Sequence, residues 1–238
     1  MVAEQALAAL RAEFTARACP TRAAAAQRYM KSALPYYGSP MPEVRTITNR
    51  IWAQHRFRTR AEWLAAVDEV WAAATHREER YAAIGLLRHR LYRQWADDQG
   101  NLPTLRRLIV SGAWWDVVDE IASHCVGAVL RGHPDEVGPV LRGWARDDDL
   151  WVRRSAILSQ LTFKERTDPV LLADCIVPSI PDPDFFARKA IGWALRQYAT
   201  TDPDWVRAFV VAHPGLSGLS KREALKHLNA DLGPETSG

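Results

Sequence analysis

The chain has 238 residues, 47% hydrophobic and 25% charged, with a formal net charge of +3. That length can bury a substantial core, and so mild a positive balance confines any polyanion-binding surface to a local patch. Three cysteines without CxxC spacing (Cys19, Cys125, Cys175) argue against a disulfide framework or a zinc site and for a reducing compartment, and no apolar run approaches the roughly 20 residues of a membrane span.

In chain order, the start Met1-Val2-Ala3-Glu4-Gln5 lacks the basic and apolar regions of a signal peptide, so the cytoplasm is the expected location. Pro40 and Pro42 restart the chain after Gly38. Apolar residues recur at three- and four-residue spacings near 61–74, 78–95, 114–131 and 185–199, which predicts helices there. Pro134 and Pro214 mark further joints. Asp168-Pro169, Asp182-Pro183 and Asp202-Pro203 each set an N-cap acceptor before a proline suited to the first helical position. Ser220 and Glu223 have capping-box spacing, which predicts a helix start at Ser220. No set of alternating β-branched runs with hairpin turns occurs.

Ala83, Ala122, Ala156 and Ala190 recur in apolar helical runs, and Arg80–Ile84, Arg153–Ile157 and Arg188–Ile191 read alike. A period in the thirties is that of paired-helix solenoids, in which small residues let neighbouring helices approach. The expected fold is therefore all-α, a HEAT-like helical repeat in one domain over 1–232, with a concave face for an extended ligand and a frayed tail over 233–238.

Three stretches pair aromatic with charged residues: Ala113–Asp119, Leu150–Ile157 and Phe185–Arg196. On a helix Trp115 and Asp119 share a face, as do Lys189, Trp193 and Arg196. A groove so lined offers cations for phosphates, which points to nucleic acid. A carboxylate is unfavourable on a phosphate-binding face unless it meets developing positive charge. Glycosidic cleavage supplies that charge, because the deoxyribose acquires oxocarbenium character. Alkylation at N3 or N7 makes a purine cationic and a good leaving group, and indole faces attract cations by roughly 0.5–2 kcal/mol.

At these residues the chain resembles the AlkD family of alkylpurine DNA glycosylases, which are HEAT-like repeat proteins. The resemblance is carried by Arg28-Tyr29-Met30-Lys31, by Trp114–Asp119, and by Trp151 with Arg154–Leu158. It continues through Phe185–Tyr198 and Leu219–Ala224 with Lys226-His227, spanning about residues 10 to 230. It implies hydrolysis of the N-glycosidic bond of 7-methylguanine or 3-methyladenine type lesions in double-stranded DNA, without base flipping and with an abasic product. It implies that Trp115 and Trp193 contact the lesion's deoxyribose, that Asp119 stabilises the oxocarbenium ion, and that Arg154 holds a nearby phosphate. Tyr29, Lys31, Lys164, Arg188, Lys189, Arg196, Lys221 and Arg222 are the candidates for other backbone contacts. Thr162 departs from a lysine found in some relatives, and Lys164 follows two residues later. Neither a metal nor an organic cofactor is implied, and a monomer is expected.

Plainer readings stand beside these. Trp114 and Trp115 cannot share one helix face, so Trp114 is assigned to packing and Trp115 to the site. Asp119 has a rival role as the partner of an arginine on the next repeat. Arg153 and Arg154 diverge by about 100°, so one can face a groove and the other water. His124 and Cys125, with no carboxylate in view, read as buried packing. Asp147-Asp148-Asp149 reads as capping before Leu150. The rival functions are a non-catalytic DNA-binding or damage-sensing protein and a protein-interaction scaffold.

Overall fold

A computed structural model describes residues 2–228, so the frayed tail expected over 233–238 lies outside the described residues. Among these residues the chain is helical and contains no strand. It is an all-α helical repeat fold. The chain divides into two compact units, Met1–Thr104 and Leu105–Gly238, where one domain over 1–232 is the expectation from sequence.

The first unit contains α1 (Val2–Ala16), α2 (Pro20–Met30), α3 (Met41–Gln54), α4 (Arg60–Ala72), α5 (Arg77–Leu87) and the short α6 (Arg93–Ala96). Trp52 and Trp63 are fully buried and resolve their indole N–H groups locally, donating to the carbonyls of Ala82 (2.9 Å) and Leu86 (3.1 Å). Two carboxylates are buried with them. Glu78 accepts from the backbone N–H groups of Tyr37, Gly38 and Ser39. Glu79 takes the Arg11 guanidinium on both oxygens and the Tyr37 hydroxyl. The loop so fixed turns at Gly38, whose φ of +89° brings its Cα where a Cβ would lie 2.4 Å from the Cys19 carbonyl oxygen. The helix expected near 78–95 is broken: α5 ends at Leu87, and a 3₁₀ turn over Arg90–Tyr92 leads to α6.

Next in the chain is α7 (Leu102–Gly112). The second unit continues with α8 (Trp115–Glu120), a π-helical turn (Ile121–Val126), α9 (Gly127–Gly132) and α10 (Pro134–Trp144). After these come α11 (Leu150–Leu158), α12 (Pro169–Ile176), α13 (Phe185–Tyr198), α14 (Pro203–Ala212) and α15 (Gly218–Ala224). Helix α11 packs between α8 with its π turn on one side and α13 on the other. Helices α10 and α12 pack on each other behind this row, and α13 is backed by α14 and α15. The recurring alanines are the reason the helices fit: Ala83, Ala122, Ala156 and Ala190 are each at most 1% exposed. The core around α13 joins Ile157, Leu172, Ile176, Ile191, Leu195, Val206 and Phe209.

The caps follow the sequence with two exceptions. Asp149, Asp168 and Asp202 each accept from the first-turn amides of α11, α12 and α14. Helix α13 is capped by Asp184 instead of Asp182, which accepts from the Asp184 amide and from Arg153. Helix α15 starts at Gly218 with Ser217 as its N-cap, correcting the predicted start at Ser220. Ser220 donates its hydroxyl to the Arg188 carbonyl, and Glu223 turns away to the cations of α13, so the two never close a capping box.

Gly192 is where α13 and α15 meet most closely: a Cβ there would lie 2.5 Å from Glu223 Cβ and 3.1 Å from the Ser220 carbonyl oxygen. Gly192→Ala is expected to cost about 1–3 kcal/mol through overpacking. Urea denaturation checks this, and an unchanged midpoint would show that α15 yields freely.

Candidate active site

The site is built by three consecutive helices of the second unit. Trp114 is the N-cap of α8, and its extended backbone (φ −155°) separates its ring from that of Trp115. Trp114 packs at a tilt against Trp151 of α11 and edge-on to Phe186 of α13, with centroids 6.0 and 5.3 Å away, so it packs as expected. Trp115 points the other way, into an open cleft of about 460 Å³. Asp119, one turn later on α8, lines the same cleft.

Arg154 of α11 is 4% exposed and reaches across to Asp119. Its Nε donates to one carboxylate oxygen at 2.7 Å and its Nη2 to the other at 2.8 Å. Its Nη1 donates to the Phe186 carbonyl at 2.6 Å. One guanidinium therefore ties α8, α11 and α13 together. The rival roles assigned to Asp119 and Arg154 meet in one pair: the arginine of the next repeat that binds Asp119 is Arg154 itself. The phosphate-holding role expected of Arg154 gives way here to these contacts, because a bidentate fork is the strongest use of its planar donors. Arg153 turns to Asp182 (2.7 Å) and to the Asp147 and Asp148 carbonyls, as the divergence of neighbouring positions requires.

Burial pushes the Asp119 carboxyl above the ordinary aspartate range. The Arg154 hydrogen bonds and charge oppose that rise, and the nearby Asp116 and Glu120 add to it. Asp116 and Glu120 also line the cleft, as do Trp193 of α13 and Lys164 of the loop after α11. Lys164 holds a positive φ of 53°, a costly conformation for a residue with a side chain. The walls thus carry three carboxylates, two indoles and one lysine.

The other expected phosphate contacts fall in different settings. Lys189 and Arg196 do share a face of α13, but both pair with Glu223 of α15, Lys189 at 2.6 Å. Arg188 donates to the Asp182 carbonyl (3.0 Å) and Lys221 to the Pro214 carbonyl (2.9 Å). Lys221 lies near the middle of α15 and not at its N-terminus. Arg222 is exposed. Tyr29, 77% exposed, and Lys31, the left-handed cap of α2, belong to the first unit.

His124 corrects the sequence reading. Cys125 is buried as expected, but the His124 side chain is 37% exposed, lines the cleft and meets Glu120 at 3.2 Å. His124 escaped sequence reasoning because the π turn resets the faces after α8; Asp116 and Glu120 lie on α8 itself. Thr162 accepts from Arg131 (3.1 Å) and donates to the Ser123 carbonyl (3.3 Å), anchoring that turn. Among the described residues no group of three or more His, Cys, Asp or Glu could hold a metal ion. No described helix is long and apolar enough to cross a membrane.

A row of packed helices presenting an arginine-clamped carboxylate between two indoles defines a helical repeat protein with a cleft suited to positive charge. The chain belongs to the family of DNA alkylation repair enzymes, whose model matches residues 10–228. It is similar to a solved structure from Enterococcus faecalis described as a predicted DNA alkylation repair enzyme. That likeness is 29% identical, has a TM-score of 0.79, and covers 89% of this chain and 96% of the other. No curated protein matches the chain.

Glu223 is held below the ordinary glutamate value of 4.5, first by the Lys189 hydrogen bond, which burial opposes, and then by the charges of Lys189, Arg196 and Lys226. A lowered folded-state value means its stabilisation is complete above about pH 4.5 and is lost as the pH falls through the lower folded value. Glu223→Gln is therefore expected to be less stable than wild type at neutral pH. The difference should shrink below pH 4.5, as read from urea midpoints at both values.

Proposed function

We propose that this DNA alkylation repair enzyme is a monofunctional DNA glycosylase. It hydrolyses the N-glycosidic bond of cationic alkylated purines, of the 7-methylguanine and 3-methyladenine type, in duplex DNA. The observation that carries the reading is the partly buried Asp119, held by Arg154 and lining an open cleft with Trp115 and Trp193.

The chemistry follows from that arrangement. A cationic purine leaves as a neutral base, so the enzyme's work lies with the positive charge that passes to the deoxyribose. Asp119 meets that charge at short range, where a partly desolvated carboxylate acts more strongly than in water. Arg154 fixes both oxygens in advance, so no reorganisation accompanies bond breaking. Trp115 and Trp193 offer faces to the cationic base or to the sugar. The open cleft supports processing without flipping the nucleotide into a closed pocket.

Affinity in this reading comes from exposed and partly exposed groups: the Tyr29 hydroxyl and the cation of Lys31 in the first unit, with the cations of Lys164, Arg188, Lys189, Arg196, Lys221 and Arg222 in the second. The protein acts as a monomer in the cytoplasm and needs no cofactor. Lys189 and Arg196 reach phosphate only by sharing or leaving Glu223. Glu223→Gln should therefore bind duplex DNA more tightly than wild type. Its salt dependence should steepen by about one for each cation that gains a phosphate. A titration between about 50 and 200 mM salt reads both effects.

Asp119→Asn tests the chemistry. It is expected to abolish release of 7-methylguanine from methylated duplex DNA while leaving DNA affinity equal or slightly higher. It also strips a buried arginine of its counter-charge, which costs on the order of 3 kcal/mol. Gly192→Ala serves as the control, since it lowers stability but keeps the carboxylate. Activity retained in Gly192→Ala and lost in Asp119→Asn supports the glycosylase. Loss of DNA affinity along with activity in Asp119→Asn would assign the carboxylate a structural role.

A further inference from the structure

The cleft contains a titratable group that the chemistry above does not use. His124 stands on the π turn that follows Asp119 and opens onto the same cleft. In an uninterrupted α-helix, five residues at about 100° each would place His124 roughly 140° from Asp119, in the core. A π turn advances less per residue and narrows that angle to roughly 50–90°. Such turns disrupt regular helix hydrogen bonding and recur at functional sites. Here the turn is held open from outside, since the Ser123 carbonyl accepts the Thr162 hydroxyl and the Ser123 hydroxyl donates back to the Asp119 carbonyl at 2.6 Å.

Two features make this histidine suited to proton transfer. Its Nε2 meets Glu120 Oε2 at 3.2 Å, which holds the proton on Nε2 and turns Nδ1 into an acceptor. Asp119, in contrast, has both oxygens committed to Arg154. A carboxylate clamped this way is held in place to stabilise positive charge.

Resting on the glycosylase reading, we propose that neutral His124, oriented by Glu120, is the base that deprotonates the water attacking C1′ of the lesion. In the step, the bond between C1′ and the alkylated purine nitrogen breaks, and its electron pair leaves with the base, which becomes neutral. The water oxygen bonds C1′ and its proton passes to Nδ1 of His124. Asp119 stabilises the sugar cation between the two events. Charges facing His124 are Asp116, Asp119 and Glu120 on its own stretch and Lys164 from the loop after α11. Arg154 of α11 is taken up by Asp119, and Arg131 of α9 by Thr162 and the Phe163 ring.

The test is single-turnover release of 7-methylguanine from methylated duplex DNA across pH, for wild type, His124→Gln and Glu120→Gln. Wild-type release should rise with pH as the base loses its proton. His124→Gln should lower the plateau by about 10²-fold and remove that rise, with DNA affinity unchanged. Glu120→Gln should move the rise to lower pH, which a purely structural carboxylate would not do. Equal plateaus for wild type and His124→Gln, or one pH profile shared by all three, overturn the assignment while leaving the glycosylase standing. Should His124→Gln fail to fold, the Glu120→Gln shift decides alone: a shift supports the assignment and none overturns it. A folded wild type that releases no base overturns both readings.

Discussion

The pair between Arg154 and Asp119 is the constraint on which the second unit turns. A guanidinium that is 4% exposed must place its charge somewhere, and desolvating it without a counter-ion would be strongly unfavourable. Asp119 supplies the counter-ion from α8, and the Phe186 carbonyl takes another N–H from α13. One side chain thereby registers three helices whose close approach depends on alanines at fixed positions. The aromatic contacts of Trp114, Trp151 and Phe186 surround the same crossing and exclude water from one side of it.

That pair also sets the character of the cleft. With Arg154 bound to Asp119, the carboxylates Asp116 and Glu120 line the cleft together with His124 and Lys164. The local field favours a cation even though the whole chain is mildly basic. Basic groups for a polyanion and acidic groups for a positive centre are thus kept apart, phosphates meeting the first and the reacting sugar the second. The Glu223 bridge to Lys189 and Arg196 belongs to this division, because it keeps α15 on α13 and holds two cations in reserve.

The first unit contributes stability by a different device. Glu78 and Glu79 are fully buried yet satisfied, one by three loop amides and the other by Arg11, Tyr37 and Thr75. The Tyr37 hydroxyl is pushed well above the ordinary tyrosine range, first by burial and then by Glu79. Neutral at every physiological pH, it remains a donor to that carboxylate. Polar networks of this kind favour one arrangement of a loop because any shift leaves a buried group unpaired.

How much of this was legible in the residues differs by element. Helical periodicity, the Asp-Pro joints and the recurring alanines determine an all-α repeat, because each reflects local backbone preference or a spacing that only close helix packing requires. The four-residue spacing places Trp115 and Asp119 on one face, since a helix of ordinary pitch connects them. Tertiary structure alone decided the rest. Which arginine meets Asp119 depends on the stagger of α8 against α11, a distance of 35 residues along the chain. Glu223 leaves its predicted cap because two cations on α13 outcompete one amide. His124 reaches the cleft on a π turn stabilised by Thr162 from another loop, where the sequence, offering it no carboxylate partner, argues for burial. Local preference is written in consecutive residues; partners in charge and hydrogen bonding are chosen only when distant helices meet.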